Sequence, residues 1–171
     1  RYFPALGQLM TVEAFRFSQR SRRPPKDATN AMLSFGYTLL HNNVLSLILA
    51  EGLNPYLGNL HRSDRRETHL AFDLIEEFRS PVVDTLVLTL VNRGVIKPDD
   101  FGPSPDGQGI YLSDGARRRF IQEFERRMGE ETAHPMAKQP VAYRRAVQLQ
   151  VQRYKQCLLH GIPYEAFLRA V

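Results

Sequence analysis

The chain has a single cysteine, Cys157, and no apolar run that approaches the roughly 18–20 residues needed to cross a bilayer. One cysteine cannot form an internal disulfide, which is typical of proteins from a reducing cytoplasm. The most apolar run, residues 44–50, is interrupted by Ser46 and follows two asparagines. We therefore expect a cytoplasmic protein that has no membrane partner.

Several catalytic signatures are absent as well. The sequence contains no glycine-rich phosphate loop and no serine in a nucleophile elbow, and its one cysteine excludes the common cysteine-based zinc sites. What remains is 171 residues with 43% hydrophobic and 24% charged side chains, enough for a globular core. Lysine and arginine outnumber aspartate and glutamate by 23 to 18, and the net charge of +5 favours a polyanionic partner.

Helical periodicity dominates the chain and predicts an all-α protein with a single helical domain over residues 1–171. The predicted helices cover residues 1–10, 27–51, 67–78, 82–92, 113–128 and 140–159, with a short helix after Pro163. Asp27 is a candidate N-cap and Gly52 a candidate C-terminal stop. Residues 95–112 are rich in proline and glycine, which predicts a loop or short hairpin with an edge strand at 110–112.

Three carboxylates, Asp73, Glu76 and Glu77, have the i, i+3 and i+4 spacing that places them on one side of a helix. Such carboxylates bind the hard divalent cations that phosphoryl chemistry uses, although the same pattern is common on a solvated helix face. A histidine would extend the set. His69 has the better helical spacing, whereas His61 would need tertiary folding to reach the carboxylates, and the spacing leaves both open.

A basic segment, residues 16–26, precedes the second predicted helix and carries five cations, Arg16, Arg20, Arg22, Arg23 and Lys26. It favours contact with a phosphate backbone, although a solvated loop has the same composition. Arginines beside His61 extend this pattern towards the carboxylates. The DNA contacts predicted on these grounds are Arg22, Arg23, Lys26, Arg62 and Arg66. The arginines of residues 117–119 and 126–127 alternate with glutamates and indicate a mixed-charge surface.

Four blocks of sequence, in a fixed order, carry a resemblance to a known family. They are Arg22-Arg-Pro-Pro-Lys-Asp-Ala-Thr-Asn-Ala, Leu33-Ser-Phe-Gly-Tyr, Gly58-Asn-Leu-His and Asp73-Leu-Ile-Glu-Glu-Phe-Arg. Together they resemble the CRISPR adaptation integrases over almost the whole chain. The resemblance implies the C-terminal catalytic domain of a larger protein, without the N-terminal β-rich domain that forms much of the family's homodimer.

The resemblance also implies a function in antiviral defence. The family's members are metal-dependent DNA endonucleases and integrases, which insert spacer DNA into CRISPR arrays through attack of a 3′-hydroxyl on a repeat phosphodiester. The implied cofactor is Mg²⁺ or Mn²⁺. The implied partners are spacer-precursor and repeat DNA and the second, smaller CRISPR adaptation protein. The alternatives are a non-catalytic DNA-binding helical module and an interaction scaffold that uses the apolar helix 82–91.

By the same resemblance, His61 and Glu76 are metal ligands and Asp73 is a ligand or an orienting residue. Tyr37 is predicted to contact the phosphate or the activated hydroxyl, and His69 falls where the family has no ligand. In the family, the first metal-binding glutamate lies a few residues before an Arg-x-Tyr-Phe-like segment. Arg1-Tyr-Phe resembles the end of that segment. We therefore expect that ligand to lie outside this chain, which leaves open whether the fragment is active alone.

Overall fold

A computed structural model describes residues 2–61, 67–104 and 107–168. Its helices are α1 (Tyr2–Gln8), α2 (Ala28–Ala50), α3 (His69–Phe78), α4 (Thr85–Asn92), α5 (Asp114–Gly129) and α6 (Tyr143–His160). Short 3₁₀ turns lie at Glu13–Phe15 and Pro98–Asp100, and a π-helical segment, Arg79–Asp84, joins α3 to α4. Two small antiparallel pairs are β1 (Phe101–Pro103) with β2 (Ile110–Leu112), and β3 (Glu131–Thr132) with β4 (Val141–Ala142). The predicted all-α class is confirmed.

The chain divides into two compact units. The first unit contains residues 1–36 and 83–126, and the second contains residues 37–82 and 127–171. Helix α2 therefore begins in the first unit and ends in the second. That residues 1–171 form a single domain stays a prediction.

Large aromatic and aliphatic side chains form the core of the first unit. Fully or almost fully buried members are Met10, Phe15, Met32, Leu33, Phe120 and Phe124. Gly36, inside α2, makes room for this core, because an added Cβ would come within 2.5 Å of Val83 Cγ1 and 3.2 Å of Phe120 Cζ. Each large side chain buried here contributes about 1.5–3 kcal/mol relative to an exposed position.

In the second unit, α3 packs on α6 through one apolar face. The buried residues of this core are Leu40, Val44, Ile48, Leu70, Ile75, Phe78, Tyr143, Val147 and Val151. Because α3 buries Leu70, Leu74 and Ile75 on one side, Glu76 is left on the exposed side. This division of the helix creates the face on which the candidate site lies.

The predicted helix ends are correct at some positions and wrong at others. Asp27 Oδ1 accepts a hydrogen bond from the Asn30 amide at 2.8 Å, and Gly52, at φ +73°, follows the end of α2. The sequence predicted a break between two helices before Pro81, but Arg79–Asp84 is a continuous π-helical segment. Proline lacks a backbone N–H donor, and the wider π-helical turn accommodates this residue without a break. The predicted helix after Pro163 is wrong, because residues 162–168 form no helix.

Two helix starts also differ from the sequence-based boundaries. Helix α3 begins at His69, two residues later than expected, and α6 begins at Tyr143. The second shift has a tertiary cause, since residues 141 and 142 pair with β3 as a strand. Residues 95–112 contain the predicted hairpin, in which Phe101 pairs with Leu112 and Pro103 with Ile110.

Helix α2 is long and apolar enough, by length and composition alone, to cross a membrane. A core helix of a globular protein passes the same test. The helix also carries polar groups with protein partners: Asn30 is fully buried and bonds Asp27 and Gln19, and His41 lies 2.8 Å from Thr68 Oγ1. These contacts are those of a helix that packs within its own protein.

Candidate metal centre

The turn at residues 58–61 lies directly against α3. A Cβ added to Gly58 would lie 2.6 Å from His69 Cβ and 2.9 Å from Asp73 Oδ2, so a side chain here would displace the turn from the helix. The turn is further held by Asn59 Nδ2, which donates to the Tyr154 hydroxyl at 2.9 Å. The close packing against α3 therefore requires glycine at position 58 for a steric reason. Because the turn approaches α3 so closely, the next three residues lie beside that helix.

Both carboxylate oxygens of Asp73 accept hydrogen bonds from the backbone amides of this turn. Oδ2 accepts hydrogen bonds from the amides of Asn59 at 2.5 Å and Leu60 at 3.0 Å. Oδ1 accepts one from the His61 amide at 2.9 Å and lies 2.7 Å from His61 Nδ1. Burial by itself would raise the pKa of Asp73, but these hydrogen bonds outweigh it and hold the pKa below its usual value.

His61 is oriented by the same carboxylate. Because Asp73 is an acceptor, Nδ1 is the ring nitrogen that donates to it, and in the neutral imidazole this leaves the lone pair on Nε2. Nε2 lies 4.0 Å from Glu76 Oε1, and both side chains are open to solvent, with 44% of His61 and 39% of Glu76 exposed. The structure thus brings together a fixed imidazole nitrogen and a carboxylate oxygen at a solvent-reachable position.

Arg79 is the member of this cluster that sequence reasoning did not select. Its Nη1 lies 2.6 Å from Glu76 Oε1, and its guanidinium stacks over the Tyr37 ring at 4.9 Å. Tyr37 is half-buried, so Arg79 lies between its ring and the Glu76 carboxylate. The i, i+3 spacing of Glu76 and Arg79 was a signal for this pair, although it is a common surface pattern.

The structure distinguishes between the two candidate histidines. His61 pairs with Asp73 and approaches Glu76, as predicted for a joint site. His69 is instead buried under the turn, with its Cβ beside Gly58. The ligand roles of His61, Glu76 and Asp73, and the catalytic role of Tyr37, stay predictions.

The expectation that Glu77 shares a face with Asp73 and Glu76 is wrong. Its carboxylate accepts hydrogen bonds from Gln150 Nε2 at 2.7 Å, from the Tyr164 hydroxyl and from the Phe167 amide. The extended segment at residues 163–168 draws this side chain away from the candidate site. Within residues 2–61, 67–104 and 107–168, no group of three or more His, Cys, Asp or Glu side chains is arranged to hold a metal.

The predicted DNA contacts are only partly described. Arg22, Arg23 and Lys26 are exposed and belong to the first unit, whereas the carboxylates belong to the second. Arg62 and Arg66 lie outside the described residues. The predicted common positive surface therefore stays a prediction.

Comparison with known proteins identifies the family. Residues 1–126 match the model of the family described as CRISPR associated protein Cas1. The chain belongs to the Cas1 family. It is 42% identical over 167 residues to a CRISPR-associated endonuclease Cas1 of Thermus thermophilus. This match covers 97% of this chain and 51% of the relative. The chain thus spans about half the length of that Cas1 relative, as expected for the C-terminal helical domain.

Solved structures agree with this membership. A Cas1 protein from Thermotoga maritima matches with a TM-score of 0.84 and 30% identity, over 98% of this chain and 51% of that one. A casposase bound to integration product matches at 0.83 and 26% identity, over 94% and 45%. A Cas6-RT-Cas1–Cas2 complex contains a match at 0.83 and 29% identity, over 97% of this chain and 18% of that one.

Proposed function

We propose that the full-length protein containing this chain is a metal-dependent DNA endonuclease and integrase that inserts spacer DNA into CRISPR arrays. The observation that carries the proposal is the orientation of His61, whose Nε2 faces Glu76 at 4.0 Å because Asp73 holds Nδ1. Support comes from a relative named as a CRISPR-associated endonuclease and from a similar casposase bound to integration product.

The donor set fits Mg²⁺ or Mn²⁺. Mg²⁺ and Mn²⁺ prefer carboxylate oxygen, which Glu76 supplies, whereas an imidazole nitrogen binds Mn²⁺ more weakly than it binds the later first-row metals. Mg²⁺ is commonly held by only one or two carboxylates together with water and substrate phosphates. We assign His61 and Glu76 as ligands, and a third protein ligand would come from outside the described residues.

Asp73 is better suited to orient His61 than to bind a metal directly. Both of its oxygens already accept hydrogen bonds, two on each. Carboxylates that fix the tautomer of a ligating histidine in this way strengthen the site without contacting the ion. Of the two roles expected for Asp73, we therefore propose the orienting one.

A bound divalent ion would supply charge stabilisation for a phosphodiester and would ease deprotonation of an attacking hydroxyl. The chain's own contribution is positioning. Arg79 places a guanidinium beside Glu76, and a guanidinium matches the geometry of phosphate oxygens. Tyr37 supports that guanidinium from below through its ring, which limits the directions in which Arg79 can point.

The proposal extends to partners. The similar complex that contains Cas1 and Cas2 supports a second, smaller adaptation protein as partner, and the casposase complex supports DNA. Spacer-precursor DNA and the CRISPR repeat are the DNA substrates we propose. A homodimer of the full-length protein and a cytoplasmic location are part of the same proposal.

The test measures metal-stimulated strand transfer and duplex binding side by side on the full-length protein. His61→Ala should reduce joining at least about a hundredfold, because it removes a ligand, while duplex affinity changes by less than about twofold. His160→Ala, which removes an exposed histidine on α6, is the matched control and should join DNA normally.

Two results would contradict the proposal. Normal joining by His61→Ala would remove His61 from the mechanism. Duplex binding without any metal-stimulated joining by the wild-type protein would favour the non-catalytic DNA-binding module. Affinity that does not fall with salt would favour an interaction scaffold instead, since phosphate contacts release counterions.

A further inference from the structure

The first unit contains an open groove beside the β1–β2 hairpin, with a volume of about 760 Å³. Its lining includes Gly102, Ser104, Tyr111, Ser113 and Arg117. The volume lies within the range of about 300–1,000 Å³ that is usual for small-ligand sites. An exposed tyrosine, two hydroxyls and an arginine give this groove both an aromatic face and groups that can hold an anion.

The strand register explains why the groove exists. Tyr111 lies opposite Gly102, which has no side chain to cover it. A Cβ built on Gly102 would have no atom within 4 Å, so the space over the strand is open. Tyr111 is 46% exposed, whereas the next residue, Leu112, is buried in the core. The hairpin therefore presents an aromatic ring to solvent from a hydrogen-bonded strand pair.

The basic segment, residues 16–26, is attached to this same hairpin near its C-terminal end. The Ile110 amide donates to the Pro25 carbonyl at 2.9 Å. A Cβ on Gly109 would lie 2.7 Å from Pro24 Cβ and 3.0 Å from Tyr111 Cε2, so the proline and the aromatic ring approach the same point. The prolines of the basic segment thus pack beside the exposed tyrosine.

A buried asparagine keeps the basic segment in a defined conformation. Asn30 is fully buried, and its Oδ1 accepts hydrogen bonds from the Ser21 amide at 3.0 Å and from Arg20 at 2.8 Å. Ser21 Oγ in turn accepts the Lys26 amide at 2.9 Å. Arg22, Arg23 and Lys26 are exposed, and among the described residues none of them has an ion-pair partner.

We propose that the groove and the basic segment together bind single-stranded DNA, with one base stacked on Tyr111. This rests on the proposed function insofar as the ligand is DNA. Stacking on an aromatic ring beside cations is the usual way in which proteins hold single strands, and it requires a base whose face is free of its neighbours. A paired duplex offers no such face along its length, so the groove selects the single strand.

Arg117 and the basic segment supply the charge for the phosphates. Arg117 pairs with Asp114 at 3.4 Å, and both side chains are at least half exposed. Exposed pairs of this kind are weak, and a phosphate can replace the carboxylate. Asp100, which directly precedes β1, is paired with Arg119 at 2.5 Å, and its neighbour Asp99 is exposed.

The first experiment measures the binding of fluorescein-labelled oligothymidine and of a matched duplex to the full-length protein by anisotropy. Tyr111→Leu keeps an apolar side chain but removes the stacking face, and should weaken single-strand binding about tenfold while leaving duplex binding within about twofold. Tyr111→Phe keeps the ring and should bind as the wild type does.

A second variant tests the groove without touching the tyrosine. Gly102→Leu fills the open space opposite Tyr111 and should weaken single-strand binding as strongly as Tyr111→Leu, whereas Gly102→Ala should have a smaller effect. Thermal unfolding of each variant checks that the hairpin is intact. Arg117→Gln should reduce the slope of log affinity against log salt for the single strand by about 0.7.

Stacking itself can be observed with 2-aminopurine in the oligonucleotide, whose fluorescence should be quenched by the wild type and by Tyr111→Phe but not by Tyr111→Leu. Equal single-strand affinity for wild type, Tyr111→Leu and Gly102→Leu would overturn the inference. Equal affinities would not bear on the catalytic proposal, because the wild-type protein could still join DNA and His61→Ala could still fail to do so. Failure of the His61→Ala test, with Tyr111→Leu still impaired, would leave the single-strand site standing.

Discussion

Glu76 and Glu77 are neighbours in sequence, yet they belong to two different regions of the second unit. Glu76 is exposed, faces His61 Nε2 at 4.0 Å and pairs with Arg79. Glu77 is enclosed by Gln150, Tyr164 and the backbone of Phe167. Burial, followed by the charge and hydrogen bond of Glu77, raises the pKa of Tyr164 far above its usual value.

The difference shows that the role of a carboxylate depends on what packs against each side of the helix. One residue on an α-helix turns the side chain by about 100°, since a turn contains 3.6 residues. On one side that rotation leads to the turn at residues 58–61. On the other it leads to residues 163–168, where Phe167 stacks on Phe78 and on His134. The first region is a solvent-reachable surface that carries the proposed metal ligands, and the second anchors the end of the described chain.

The largest expected effect comes from Glu76→Ala in the full-length protein. Strand transfer should fall at least about a hundredfold, because a proposed metal ligand is lost. The free energy of unfolding should change by no more than about 0.5–1 kcal/mol, since the carboxylate is exposed and its pairing with Arg79 is of the weak i, i+3 kind. Chemical denaturation and a joining assay on the same preparation measure both quantities.

Glu77→Ala should give the opposite result. It leaves the Tyr164 hydroxyl and the Phe167 amide without their Glu77 acceptor and removes one of the acceptors of the Gln150 side-chain amide, so the free energy of unfolding should fall by about 2–4 kcal/mol. Joining measured below the unfolding transition should fall less than in Glu76→Ala. If Glu77→Ala is stable but inactive, the division of roles between the two glutamates is wrong.

Asp73→Asn tests how the exposed region is organised. An amide cannot accept at both positions that now receive four hydrogen bonds, so His61 should lose its fixed orientation. Mn²⁺ affinity of the full-length protein, measured by calorimetry, should fall about 10–100-fold. Asp99→Asn, at an exposed position in the first unit, is the control and should bind Mn²⁺ as the wild type does.

Gly58→Ala tests the steric basis of the turn. The added methyl would collide with His69 and Asp73, and we expect a loss of about 1–3 kcal/mol in the free energy of unfolding. Gly129→Ala introduces the same group where no atom lies within 4 Å and should change stability by less than about 0.5 kcal/mol. Equal stability of the two variants would show that the turn does not require glycine at position 58.

The smallest effect is a pH dependence in the anchoring region. Burial lowers the pKa of His134 below its usual value, and the ring accepts the Met136 amide on Nδ1 while Nε2 lies 3.1 Å from Gln150 Oε1. The unfolded chain therefore binds a proton more readily, so stability is complete above about pH 6.5 and declines as the pH falls below it.

His134→Gln should make this decline shallower in thermal unfolding between about pH 8 and about pH 5. Some decline should remain, because burial also lowers the pKa of His41. An unchanged pH profile in the variant would show that His134 does not contribute.

The sequence alone predicted the six helices α1 to α6, though not all of their ends, and the motifs that carry the family resemblance, but it also predicted a helix after Pro163 that residues 162–168 do not form. Helical periodicity and local signals are properties of residues within one or two turns of each other, so Asp27 and Gly52 could be placed before any fold was known. The resemblance of the four motif blocks predicted His61 and Glu76 as metal ligands. The spacing of residues by itself left His69 open as the histidine ligand in place of His61.

Only the tertiary structure decided which groups meet. Asp73 holds His61 from 12 residues away, Glu77 reaches Phe167 across 90, and Tyr111 faces the open side of Gly102 because of the strand register. No local pattern records such pairings, because they depend on how buried faces pack and on where a missing Cβ lets two backbones approach. Gly58 is the clearest case, since its lack of a side chain, read in the sequence as a turn, allows three successive amides to reach one carboxylate.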